Sequence, residues 1–209
     1  MKKSIAVIGE GITEKYYIES LKGISPFTII PRELGIKASS LKSLSKNIKL
    51  AIDKGFDEVY CLIDMDSKTS GKSKNAYLAL KNKYHNRVFS KKNKGIESIV
   101  FFIETERCTE LWFLYYFSNV AITRKFNSYK ELEEELRRYR PNYEKTIKYY
   151  KSLGNIHKDF ESNSPKGSIK RAYRNSNTSL LSKIIDNRNY SYSEMHLLIK
   201  GLGIYSEDD

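Results

Sequence analysis

The sequence predicts an α/β fold built on a mainly parallel sheet, with helices on both faces. Three observations lead there. Ser4-Ile5-Ala6-Val7-Ile8 and Val59-Tyr60-Cys61-Leu62-Ile63 are compact apolar runs without regular polar alternation, as expected of strands covered on both faces. Segments with helical periodicity lie between the apolar runs, giving the order β-α-β-α-β and a crossover at each step. The first and third runs end in turns bearing carboxylates, and in open parallel sheets ligands bind beyond the carboxyl ends of the strands.

Taken in order, the first strand stops at Gly9. Thr13 to Lys22 then places Tyr16, Tyr17, Ile18 and Leu21 at helical spacing, with Thr13 and Glu14 in the N-cap region. Phe27 to Ile30 is a second strand, stopped by Pro31. Leu41, Leu44, Ile48, Ala51 and Ile52 mark a helix that Gly55 ends. Val59 to Ile63 is the third strand. From Ser67 to Ile96 there are nine Lys/Arg and no acid. Asn75 to Tyr84 is expected to be helical there, between mobile loops Lys68–Lys74 and Ser90–Lys94. Ile99 to Ile103 is a fourth strand, so the sheet has about four.

Thr105 to Ser118 changes character. Leu111, Trp112, Leu114, Tyr115 and Phe117 make an apolar helix suited to the core. Beyond it the strand signals fade. Helices are expected over Ser128–Arg138, Tyr143–Leu153, Ser168–Arg174 and Ser193–Leu202, with Asn175–Asn177 as a polar break and Ser206–Asp209 frayed. The predicted organisation is an α/β metal-binding domain over 1–118 and a helical extension over 119–209 packed on it.

Composition narrows the class. A chain of 209 residues, 40% hydrophobic, can bury a core and is not disordered. No apolar stretch approaches the roughly 18 residues of a membrane span, and no signal-peptide pattern opens the chain. Cys61 and Cys108 lack zinc-site spacing and read as reduced thiols of a cytoplasmic protein without membrane association. The net charge of +12 is spread over the chain: 20 Lys/Arg against 13 Asp/Glu in residues 1–118, and 17 against 12 in the remainder. Such a surplus favours an anionic partner, most simply nucleic acid held through the basic segment 68–94. The competing reading of that segment is a solvated helix with basic loops.

The chemistry concentrates at the strand ends. Asp64 and Asp66 stand at i and i+2 after the third strand, and Glu10 and Glu14 flank the turn after the first. At a strand end both aspartates can reach one hard cation through oxygen, and Mg (or Mn) suits such ligands. Glu10 from the neighbouring strand end completes a three-carboxylate cluster, and Glu14 is placed one helical turn on. D-x-D alone is a weak signal. It also opens haloacid-dehalogenase phosphatases, but their pattern needs Thr or Val where this chain has Lys68. Nucleotide-sugar transferases use it too, and two acids in a surface turn remain the plain alternative.

Gly9-Glu10, Thr13-Glu14-Lys15, Tyr17-Ile18, Leu21, Ile63-Asp64-Met65-Asp66 and Cys108-Thr109-Glu110-Leu111-Trp112 together resemble the RloB-like family, related to Toprim-fold OLD-type nucleases. Asn142-Tyr143-Glu144-Lys145 and Ser193-Glu194-Met195-His196-Leu197-Leu198 extend the likeness over nearly the whole chain. The family's Ser-Asn-Pro is Thr105-Glu106-Arg107 here, and Thr109 replaces an aromatic. The resemblance implies a Toprim-like sheet and a metal-dependent nuclease acting on DNA or RNA. It also implies an effector of an anti-phage or restriction-linked system beside an ABC-type ATPase partner. By position, Glu10, Asp64 and Asp66 would hold one metal, Glu14 and Glu110 would help with a second, and Lys145 would be a transition-state cation. The alternative is a non-catalytic Toprim module that binds nucleic acid or the ATPase. His85 and His157 are read as solvated, and His196 as orienting the last helix.

Overall fold

The computed structural model of the chain describes residues 3–31, 40–91 and 95–206. Five strands, β1 (Ile5–Ile8), β2 (Thr28–Ile30), β3 (Glu58–Asp64), β4 (Arg87–Lys91) and β5 (Ile96–Thr105), form one sheet in the order β2-β1-β3-β5-β4. All pairings are parallel except β4, which turns back antiparallel on β5. The expectation of about four strands missed β4. That segment is an edge strand, with Val88 60% exposed and basic residues at both ends, so no apolar run announces it. Part of it was expected to be loop. Lys92 and Lys94, counted with the same basic segment, lie outside the described residues.

Strand alternation sorts the core into two layers. Ala6, Ile8, Val59, Cys61 and Ile63 face α2 (Leu41–Lys54) and α3 (Gly71–Tyr84) through Leu44, Ile48 and Tyr77. Val7, Tyr60, Leu62 and Ile103 face the other way, onto α1 (Ile12–Leu21) and α4 (Glu110–Phe117). Every residue of α4 is buried, as a helix apolar around its circumference requires. Cys61 and Cys108 are both buried and free.

The helices after residue 118 are α5 (Tyr129–Arg137), α6 (Ile147–Leu153), α7 (Ile156–Ser162), α8 (Ile169–Ile185) and α9 (Met195–Gly201). They share the α1/α4 core, with Leu136, Tyr150, Phe160, Tyr173 and Leu198 packed in one cluster with Tyr17 and Trp112. Among the described residues no helix is long and apolar enough to cross a membrane.

Several local expectations change. The polar break at Asn175–Asn177 is absent, because α8 runs through it. The Asn175 amide donates to the Tyr115 and Ser118 carbonyls at 3.1 and 2.7 Å, so it satisfies the end of α4 instead of competing with its own helix. α3 begins at Gly71, inside the expected Lys68–Lys74 loop. The helix expected from Tyr143 starts only at Ile147, where the Thr146 hydroxyl accepts from the Tyr149 N–H. That leaves Tyr143 to Lys145 in a turn. His157 is buried beside Tyr116, not solvated, and half-buried His85 accepts the Phe102 N–H at 2.9 Å. His196 is as expected: it is buried, pairs with the Ser176 hydroxyl at 2.8 Å, and burial pushes it down to about 4.

The topology also fixes a crevice. From β1 the chain crosses through α1 to β2 on one side, and β3 lies on the other. The carboxyl ends of β1 and β3 therefore border a topological switch point.

The junction of α9 with the sheet is tight enough to test. A Cβ built at Gly201 would run into the Tyr60 hydroxyl and ring. Gly201→Ala is expected to lower stability by about 1–3 kcal/mol by overpacking, read as a fall in urea midpoint. An unchanged midpoint would contradict this packing.

Candidate functional site

Glu10 follows β1 and Asp64 ends β3, and the pairing of Ile8 with Cys61 sets the two strand ends side by side. The Glu10 carboxylate lies beside the end of β3, where the Lys68 ammonium touches both Glu10 Oε2 and the Asp64 carbonyl. An open cleft of about 360 Å³ lies over this edge, lined by Glu10, Gly11, Asp64, Asp66, Lys68 and Lys145 among others. Four of the six residues singled out from the sequence therefore meet in one cleft. Glu14 and Glu110 are buried and do not line it.

Glu14 lies in the first turn of α1, where the helix N-terminus favours an acid. Its position explains Gly11: a Cβ there would lie 2.8 Å from Glu14 Oε2. Thr109 Oγ1 donates to Glu14 and also lies 3.3 Å from Asp64 Oδ1. One hydroxyl proton cannot serve both carboxylates at once.

Glu110 is fully buried at the start of α4 and heavily engaged. Thr13 and Tyr143 donate to its Oε1 at 3.1 and 2.8 Å, and Tyr150 joins both of those hydroxyls. Lys145 Nζ lies 3.1 and 3.2 Å from its two oxygens. Burial opposes the Lys145 charge more than any one neighbour supports it, but Glu110, Cys108, Asp64 and Glu14 together outweigh it, and the net shift is upward. The ammonium is thus fixed as a cation at the cleft wall.

The cleft carboxylates are short of positive charge. Burial pushes Asp64 well above the usual carboxylate range, and Glu14, Glu110 and Glu10 add to it against Lys145. Burial also raises Glu10, outweighing Lys68, and raises Asp66, outweighing Arg107. Lys68 was expected in a mobile loop. Instead its side chain is only 9% exposed, and it donates to Glu10 Oε2 at 2.8 Å and to the Asp64 carbonyl at 2.6 Å. Arg107, at φ 71°, donates to the Phe126 carbonyl at 2.7 Å and to Asp66 at 3.4 Å.

Sequence reasoning counted Lys68 as charge and missed it as a contact. The signal available was its spacing, two residues past Asp66. Thr13, Thr109 and Tyr150 gave no comparable signal, since their roles depend on contacts across 97, 95 and 137 residues of chain.

The donor set of the cleft is all oxygen, which suits a hard divalent cation. Glu10 Oε1 is buried without a hydrogen-bond partner among the described residues, and an unpartnered carboxylate oxygen fits a cation better than it fits a resting protein. Against a preformed cage, no three His, Cys, Asp or Glu among the described residues are grouped closely enough to hold a metal as they stand. The cation on Glu10 in this arrangement is the Lys68 ammonium.

A family model described as RloB-like protein matches residues 5–202. Neither the curated proteins nor the solved structures give a match.

The raised carboxylates predict a pH dependence. A group whose folded pKa exceeds its unfolded value binds protons on folding, so its stabilising contribution is full below the unfolded value and is lost as pH rises through the folded one. In chelator, Asp64→Asn should therefore raise the unfolding free energy from urea titration at pH 8, by on the order of 1 kcal/mol, and by less as pH falls toward 5. An equal gain at both pH values would refute the crowding argument.

Proposed function

This chain belongs to the RloB-like family, and we propose that it is a divalent-metal-dependent phosphodiesterase acting on nucleic acid. The observation behind the proposal is that Glu10, Asp64, Asp66 and Lys145 line one cleft, at the switch point where α/β sheets bind ligands. Glu10, Asp64 and Asp66 are the residues that would hold Mg or Mn. When bound, the metal would activate water and stabilise the leaving oxygen of the ester.

The chain's own groups supply the rest. Lys145, braced by Glu110 and set over the Tyr129 ring at 5.2 Å, is aimed at charge that develops on a phosphoryl oxygen. Glu14 acts from behind the cleft by holding Thr109 against Asp64. Lys68 keeps Glu10 neutralised between turnovers and yields that carboxylate when a dication enters. The bond broken is a P–O ester, with water supplying a hydroxyl to phosphorus and a proton to the departing sugar oxygen. The resemblance to Toprim nucleases also supports a defence effector working beside an ABC-type ATPase.

A second reading is a non-catalytic module that binds nucleic acid or the ATPase. The engagement of Lys68 and Arg107 by the cleft carboxylates Glu10 and Asp66, and of Lys145 by Glu110 behind the cleft, favours it, because it leaves no cage already open to metal.

The test is incubation with plasmid and total RNA in Mn²⁺ or in chelator. Cleavage should require the metal, be abolished in Asp64→Ala, and fall about 10²-fold or more in Lys145→Ala. Binding without cleavage under every metal condition, unchanged in Glu10→Ala and Asp66→Ala, would favour the second reading.

A further inference from the structure

A second cavity of about 390 Å³ adjoins the carboxylate cleft, and Asp66 and Lys68 line both. Its other walls come from parts of the chain far apart in sequence: Lys74, Tyr77 and Lys81 of α3, Glu104, Glu106 and Arg107 around the end of β5, Lys125, Lys183 of α8, and Asn189 and Tyr192. Backbone hydrogen bonds hold these walls together. The Glu106 N–H donates to the Tyr192 carbonyl and the Glu194 N–H to the Glu104 carbonyl, both at 2.8 Å, and Ser193 bridges to Thr105. The wall at the end of β5 is therefore part of the folded core edge.

Its charge is lopsided. Six cations line it against three carboxylates. Lys68, Lys81 and Arg107 are already paired, with Glu10, Glu104 and Asp66. Lys74, Lys125 and Lys183 have no carboxylate within ion-pair distance among the described residues. Lys183 is instead steadied over the Tyr192 ring at 4.9 Å, and Lys125 and Lys183 both lower the Glu106 carboxyl against its burial. Unpaired ammonium groups converging on a cavity large enough for a small ligand, one wall from the metal-binding carboxylates, call for an anion of phosphate type. Half-exposed Met65 and exposed Leu78 supply apolar wall, and Asn189 supplies an amide able to meet a base edge.

We propose that this cavity is a nucleotide subsite. It binds one phosphate-bearing nucleotide of a nucleic-acid strand whose neighbouring phosphate lies in the carboxylate cleft, with Lys125, Lys183 and Lys74 neutralising the phosphate. The site is built jointly by the α/β part and the C-terminal helices. That moves the expected nucleic-acid contact from the segment 68–94 alone to a surface that needs residues 125 and 183. The subsite rests on the phosphodiesterase reading for its substrate, but its test does not require cleavage.

Binding of a short fluorescein-labelled single strand is measured by anisotropy in chelator, across a salt series, as DNA and as RNA. Lys125→Glu/Lys183→Glu should weaken binding at least ~10-fold and make the slope of log K against log salt shallower by roughly 0.7–1.4, one to two phosphate contacts. Lys130→Glu/Lys158→Glu, on exposed helix faces, should leave both unchanged. Lys125→Ala/Lys183→Ala should show the same direction more weakly, with an unaltered urea midpoint. Equal strand binding by wild type and Lys125→Glu/Lys183→Glu overturns the subsite, even if the wild type cleaves. A nucleoside monophosphate that binds only through these lysines, with strand binding unaffected, overturns it in favour of a free-nucleotide site. Loss of strand binding in the Lys→Glu pair supports it, even if no metal ever supports cleavage.

Discussion

The structure depends on a cluster of like charges held where water is scarce. Two parallel strands end side by side, and each delivers carboxylates to the same edge. Burial alone would drive those acids to hold their protons, and mutual repulsion adds to it. Asp64 shows the effect most strongly, since Glu14, Glu110 and Glu10 all raise it. Such a cluster can keep its charge only if cations are brought to it, and much of the surrounding chain does that. Lys68 reaches back from just beyond β3, Arg107 turns in at positive φ after β5, and Lys145 arrives on a turn from the C-terminal half.

The C-terminal helices follow from the same requirement. Lys145 is a useful cation only because Glu110 fixes it, and Glu110 tolerates complete burial only because Thr13, Tyr143 and Lys145 satisfy it. Those partners belong to α1 and the 143–145 turn, and α6 adds Tyr150 behind them. The helical part is thus tied to the site by hydrogen bonds as well as by the shared aromatic core. The segment before α9, bonded along the end of β5, extends the same arrangement into the neighbouring basic cavity.

Much of this was legible in the sequence. Apolar runs located β1, β3 and β5, helical spacing located α1, α2 and α4, and the acids at the strand ends pointed to Glu10, Asp64 and Asp66. What stayed hidden depends on contacts across the chain. β4 has an exposed face and so carries no apolar signature. Asn175 reads as a helix interrupter until its amide is seen bonding the end of α4. Lys68 reads as one more basic loop residue, because a lysine's burial is decided by its partner and not by its neighbours in sequence. Glu14 and Glu110 were identified as acids of the site, yet spacing could not tell that they stand behind the cleft wall.

The central claim is that these carboxylates jointly take a dication and that Lys68 holds its place until one arrives. Anomalous diffraction at the manganese edge, from crystals grown with Mn²⁺, addresses it most directly. The account predicts a peak among the carboxylates of Glu10, Asp64 and Asp66, with the Lys68 ammonium moved off Glu10. No peak in the cleft at saturating Mn²⁺, with Lys68 still bonded to Glu10, would contradict it.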